Sequence, residues 1–234
     1  MRLFLIQLAL HPENGIPAVG YLIQTDDGTT ILIDTGFPSQ FELPGGAGLR
    51  LDQQNYIVHQ LARVAIQPQD IHYLVCTHFD PDHAGGHDAF PSAELIVQRR
   101  HYATARTDSH PRFERMREHW DHPGLHYRQI DGDMTLVPGV DLIETSGHVP
   151  GHQSVLVRLP ETGPVLLTID AVTQASQFDP DTREIGPNDM DAASVRASTR
   201  KLVDLARREQ VALVVFGHDA AQWPQLKKLP EYYA

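Results

Sequence analysis

The sequence predicts an α/β protein built in layers, and three observations carry that expectation. Runs of β-branched and apolar residues alternate with stretches of helical spacing, no fixed-period repeat or low-complexity tract interrupts them, and the runs ending near 34, 76, 170 and 216 each meet an Asp or His within two residues. With 234 residues the chain is long enough for a substantial core, and a single domain spanning 1–234 is expected.

The elements follow in order. The opening MRLFLIQLAL has an apolar run interrupted by Gln7 and no A-x-A-like cleavage site, so it predicts a first strand of a cytoplasmic protein rather than a signal segment. Strands are expected over 18–25, 30–36, 71–78 and 93–98, punctuated by Asp-Gly, Pro or Gly. Between them, residues 51–66 place Ile57, Leu61 and Val64 at helical spacing, with Pro68 beyond the end. The second half predicts strands over 140–147, 153–159 and 164–171, a long helix over 192–210 and a last strand over 211–218. Two segments resist this pattern. Residues 37–50 are rich in Gly and Pro and carry Phe37, Phe41 and Leu49, as a core-capping loop or a substrate lid would. Residues 98–127, rich in Arg and His, are expected to be helical in two pieces.

Composition excludes several classes. Nineteen basic against thirty acidic residues give a net charge of −11, the wrong sign for a nucleic-acid footprint. No segment approaches the ~20 apolar residues of a membrane span. The lone Cys76 excludes an internal disulfide framework and agrees with a reducing compartment. Fourteen histidines are many for this length, and histidine is the commonest metal ligand.

Position sharpens that signal. In THFDPDHAGG, His78, Asp80, Asp82 and His83 lie in a loop straight after a strand, where no periodicity prevents four side chains from turning to one point, while Gly85 and Gly86 allow a close backbone approach. His148 follows a strand and a glycine, and His218 does the same in VVFGHD. Asp170 ends the apolar run VLLTIDA, where an uncompensated carboxylate is costly to bury. Together these residues suffice for two metal ions. His152 reads as a loop or supporting hydrogen bonder, Cys76 as inert core, and His11, His59, His72, His87, His101 and His110 as surface or packing residues.

The order His-x-Asp-x-Asp-His, Gly-His, strand-end Asp and Gly-His resembles the metallo-β-lactamase superfamily. The blocks ILIDTG, DHAGG, IVQR, VPGV, GHVPGHQS, VLLTIDA and FGHD resemble, in order, those of its N-acyl homoserine lactone lactonases, the quorum-quenching group. That resemblance implies an αβ/βα four-layer sandwich of two mixed sheets flanked by helices. It also implies one ion held by His78, Asp80 and His148, a second held by Asp82, His83 and His218, and Asp170 bridging both. The ions would be zinc, or iron, manganese or cobalt, because Asp80 stands where these lactonases carry histidine and shifts the site toward harder ions. Water activated between the ions would attack a lactone carbonyl, with Asp82 orienting it and passing a proton to the leaving oxygen.

Substrate contacts are expected from Thr173, in the slot where similar lactonases carry a tyrosine, and from Phe37 and Phe41 in the loop. The implied partner is a small-molecule lactone or ester, without nucleic acid or membrane, and a homodimer is compatible. Other ester, thioester or phosphodiester hydrolysis, a di-iron redox protein and a fold that has lost its chemistry stay open as alternatives.

Overall fold

The computed structural model describes residues 1–39, 53–107 and 111–234. Six strands form one sheet in chain order: β1 Arg2–Leu10, β2 Pro17–Gln24, β3 Thr30–Ile33, β4 Tyr73–Val75, β5 Glu94–Gln98 and β6 His126–Ile130. The first three are antiparallel, and β3 to β6 run parallel. The second sheet has the order β11-β10-β9-β8-β7, from β7 Met134–Val137, β8 Val140–Glu144, β9 Gln153–Leu159, β10 Gly163–Ile169 and β11 Leu213–Phe216. Its pairs are antiparallel except β10 with β11.

The two-residue side-chain period of a strand explains the layering. In β1, Leu3 and Leu5 enter the core between the sheets while Phe4, Ile6 and Leu8 face an outer cluster with Ile57 and Leu61 of α1, Ile57–Ala62. In β10, Val165, Leu167 and Ile169 face the inter-sheet core, whereas Leu166 meets Leu202 and Leu205 of α6, Ala192–Arg208. Helix, sheet, sheet, helix is therefore the arrangement: the layered α/β architecture that the sequence pattern predicts, in the αβ/βα form that the family resemblance implies. Burying a leucine such as Leu202 contributes about 1.5–3 kcal/mol.

Several expected boundaries move. Among the described residues of the helix expected over 51–66, the α-helix is α1, since Tyr56 is extended and Ala65 adopts φ 58°. The strand expected over 71–78 is only Tyr73–Val75, since its remainder bends into the site. Among the described residues the segment 98–127 holds three helical pieces where two are expected: α3 Arg99–Thr107, α4 Pro111–Glu114 and α5 Arg117–Trp120, with α2 Pro81–Ala84 preceding them. Its last residues begin β6, a strand with exposed His126 and Arg128 and no clear apolar alternation to announce it. α6 is capped by Asp191, whose side chain accepts the Ser194 N–H at 2.7 Å, an N-cap interaction.

Candidate metal centre

The candidate ligands collect at strand ends on one edge of the sandwich. His78 follows β4, and Asp80, Asp82 and His83 lie at the start of α2. A Cβ on Gly85 would stand 2.4 Å from Pro38 Cδ and 2.8 Å from the Gly36 carbonyl, so this helix can seat against the Gly36 segment only with glycine there. His148 sits in the turn between β8 and β9, Asp170 directly follows β10, and His218 lies two residues past β11. Ile169 takes φ 52°, strained for a β-branched residue, at the point where the chain turns Asp170 into the site.

Two clusters result. His78, Asp80, His148 and Asp170 converge in one and Asp82, His83 and His218 in the other, with the donor atoms of each cluster within 4.8 Å of one another. Asp170 joins them. Its Oδ2 faces His78 Nε2 at 3.9 Å and His148 Nε2 at 3.4 Å, while its Oδ1 faces His83 Nε2 at 3.5 Å and His218 Nε2 at 3.1 Å. Asp80 Oδ2 lies 3.2 Å from both His78 Nε2 and His148 Nε2. Asp82 Oδ2 lies 3.7 Å from His83 Nε2 and 3.6 Å from His218 Nε2. Tetrahedral ligands on bonds of ~2.1 Å stand ~3.4 Å apart, so these separations suit donors that share an ion. His78 Nε2, His83 Nε2 and Asp170 Oδ1 are also buried without a hydrogen-bond partner, which native proteins seldom tolerate. The donor set thus fits two divalent cations.

Each candidate ligand histidine is aimed by a bond at its other nitrogen, as metal ligands usually are. His83 Nδ1 meets Asp34 Oδ2 at 2.8 Å, and His148 Nδ1 meets Asp189 Oδ1 at 3.1 Å. His218 Nδ1 donates to the Pro17 carbonyl at 2.7 Å, and His78 Nδ1 lies 3.0 Å from Thr77 Oγ1. Asp34 is fully buried and also accepts from Thr77 N and Oγ1 at 2.9 and 2.7 Å. Burial raises its pKa, with His83 opposing. Burial works against a charge on His83 as well, yet Asp82, Asp170 and Asp34 carry its pKa up to about 10. His78 is driven well below the ordinary histidine value by burial and by His83. At Asp170 burial favours the neutral acid, but His218 and His83 outweigh it and hold the pKa well below the carboxylate range.

Asp80 has a further partner. Arg112 of α4 places Nε and Nη2 on its two carboxylate oxygens, and Nη2 also lies 2.6 Å from His148 Nε2. Burial opposes charge on His148 while Asp189 and Asp80 pull its pKa to about 9. A guanidinium can only donate, however, so its approach fixes Nε2 as the acceptor and the ring as neutral in this arrangement.

All seven sequence-expected ligands are therefore brought together. Thr173 and Phe37 line the adjoining pocket of about 500 Å³, whose floor includes Asp80, Asp82, His148 and Asp170. Thr173 Oγ1 donates to Gln177 Oε1 at 2.8 Å. Phe41 lies outside the described residues, as does most of the 37–50 loop. His152 is indeed a supporting residue, its Nε2 accepting the Asp170 N–H at 3.2 Å. Cys76 is buried, with Sγ 3.4 Å from the His78 carbonyl. His11, expected at the surface or in packing, lines the pocket.

Sequence reasoning missed four supporting residues. Asp34 had a signal, as the Asp ending an apolar run; Arg112, Asp189 and His101 had none, lying in segments without a motif. His101 is buried in α3, where Nε2 accepts the Phe79 N–H at 2.9 Å and Nδ1 donates to the Pro150 carbonyl at 3.0 Å. It pins together the segments that carry His78, Asp80 and His148.

Residues 15–218 match the family described as the metallo-beta-lactamase superfamily. The chain belongs to the metallo-β-lactamase superfamily. Among curated members it is similar to an N-acyl homoserine lactonase from Bacillus cereus, 36% identical over 97% of this chain and 92% of that protein. It is also similar to an N-acyl homoserine lactonase from Rhizobium radiobacter, 38% identical over 79% of this chain and 72% of its own. Of solved superfamily structures, an N-acyl homoserine lactone hydrolase with the product N-hexanoyl-L-homoserine at its catalytic metal centre aligns with a TM-score of 0.85 and 30% identity. That alignment covers 99% of this chain and 98% of the other.

Proposed function

We propose that this protein is a two-ion hydrolase that opens the ring of N-acyl homoserine lactones, the quorum-quenching reaction. The observation that carries this is the pair of ligand clusters joined through Asp170 at the floor of the pocket, in a chain alike over nearly its whole length to proteins of that activity.

His78, Asp80 and His148 would hold one cation, Asp82, His83 and His218 the other, and Asp170 both. Divalent ions bound there, zinc or the harder iron(II), manganese(II) or cobalt(II), would polarise the carbonyl and make water nucleophilic at neutral pH. Asp82, the most accessible of the three carboxylates Asp80, Asp82 and Asp170 with a side chain 26% exposed, would orient water and hand a proton to the leaving alcohol oxygen. Asp34, Asp189, Thr77 and the Pro17 carbonyl keep the imidazoles turned so that Nε2 faces inward. Ile16, Pro17, Ala18 and Phe37 give the pocket an apolar wall for an acyl chain, and Thr173, Gln177 and Asn188 give polar groups for an amide.

Among the described residues no helix is long and apolar enough to cross a membrane, and a small diffusible substrate within the cytoplasm suits the single buried thiol. The test is a substrate panel: lactones of several acyl lengths beside thioester and phosphodiester reporters, with protein loaded with each metal. Preferential, metal-dependent lactone opening is expected. Faster turnover of a thioester or phosphodiester would reassign the substrate, and the polar Thr173 in the pocket is where that reassignment would begin.

A further inference from the structure

Arg112 stands in an unusual place for a cation. Its Nε and Nη2 cover both oxygens of Asp80, Nη2 reaches His148 Nε2 at 2.6 Å, and Nη1 donates to the Asn188 carbonyl at 2.5 Å. The guanidinium thereby uses the lone pairs that an ion at the His78, Asp80, His148 site requires. His148 has no alternative to offer: its Nδ1 is committed to Asp189, and a neutral imidazole has one ring lone pair. The side chain of Arg112 is 15% exposed and that of Asp80 10%, so the bidentate bond is sheltered from water. In the other cluster Asp82 faces the imidazoles of His83 and His218.

We propose that Arg112 is a built-in competitor for the site of His78, Asp80 and His148. Its guanidinium must swing off Asp80 and His148 before an ion binds there, so the two sites are unequal and fill in order, that of Asp82, His83 and His218 first. Ordered filling presupposes the two-ion hydrolase proposed above, but it is a statement about affinity and can be tested without turnover. Arg112 also offsets the negative charge that Asp80 brings beside His78 and His148.

The experiment is calorimetric titration of chelator-stripped protein with cobalt(II), followed in parallel by the visible absorption of the bound ion. The wild type is compared with Arg112→Met and Arg112→Gln, each checked for fold by circular dichroism. In the wild type two steps are expected, the second weaker by on the order of tenfold or more. In the variants the weaker step should tighten by about the same factor while the tighter step stays put. Two steps of equal affinity in the wild type would overturn the proposal even if neither variant folded. So would a weaker step that is unchanged or further weakened in the variants, or uptake of fewer than two equivalents by every protein. Ordered filling without lactone opening would remove the proposed substrate and leave the role of Arg112 standing; lactone opening with equal steps would do the reverse.

Discussion

Replacing His101 with alanine should damage the protein more than its position outside the ligand set suggests. The substitution leaves the Phe79 N–H and the Pro150 carbonyl without their partners, at 2.9 and 3.0 Å, in a region from which water is excluded. Each orphaned group costs about 1–3 kcal/mol, and losing the ring that stacks on Phe79 at 4.9 Å opens a cavity besides, so a loss of about 4–6 kcal/mol is expected. Acid gives a second signature. Nε2 must stay unprotonated to accept from Phe79, and burial lowers the folded pKa of His101 from 6.5 to about 4. A depressed histidine pKa contributes stability that is present above the unfolded value and lost as pH falls toward the folded one. The wild type should therefore surrender about 2.5 kcal/mol of this contribution between pH 7.5 and pH 4.5, which His101→Ala no longer has to lose. Urea unfolding of both metal-free proteins at the two pH values measures the double difference. A gap below about 1 kcal/mol at pH 7.5, or one that does not narrow at pH 4.5, would refute the clamp.

Asp170→Asn removes the charge shared by both clusters; lactone turnover should fall on the order of a hundredfold or more with circular dichroism unchanged, and retained activity would contradict the joining role. Asp34→Asn deprives His83 of its anionic acceptor, and competition with a chromophoric chelator should show metal affinity about 10–100-fold weaker, an unchanged affinity being the contrary result. Gly217→Ala would put a Cβ 2.5 Å from the Ile169 carbonyl and 3.0 Å from Asp170 Oδ1. It should cost about 1–3 kcal/mol in urea unfolding and lower metal affinity with it, and wild-type values for both would show that the strand end can yield.

What the sequence made legible was whatever local spacing encodes. His78, Asp80, Asp82 and His83 share one loop, and His148, Asp170 and His218 each follow an apolar run, so each carried its own marker. The layers were legible for the same reason, because β1, β3 and β10 are largely buried on both faces and read as mostly apolar runs. Of the residues that aim the ligands, Asp34 does follow an apolar run but nothing local ties it to a particular histidine, and Asp189 and Arg112 carry no such marker. Asp34 lies 49 positions from His83, Asp189 41 from His148, and Arg112 32 from Asp80; only the topology brings them together. β6 and β7 escaped notice because they sit at sheet edges with partly exposed side chains, where alternation weakens. The short reach of α1 was equally hidden, since a helical apolar pattern does not reveal that Ala65 will adopt a left-handed backbone.

Asp80 and Arg112 also make a prediction about each other. If the carboxylate is held in its slot by the guanidinium, neither residue is independently replaceable. Asp80→His alone supplies a neutral donor but leaves Arg112 with its charge sheltered and its two-pronged acceptor gone, still facing His148 Nε2 at 2.6 Å. Removing one partner of a buried pair costs about 3–5 kcal/mol, and the partial exposure of Arg112 reduces that to about 1–3 kcal/mol here. Adding Arg112→Met removes the stranded charge, so the double variant should recover most of the loss. The coupling read from the four urea midpoints should then exceed about 1 kcal/mol. Additive effects would mean that the two side chains are neighbours without being partners, and that the aspartate at position 80 is tolerated for some reason other than the arginine beside it.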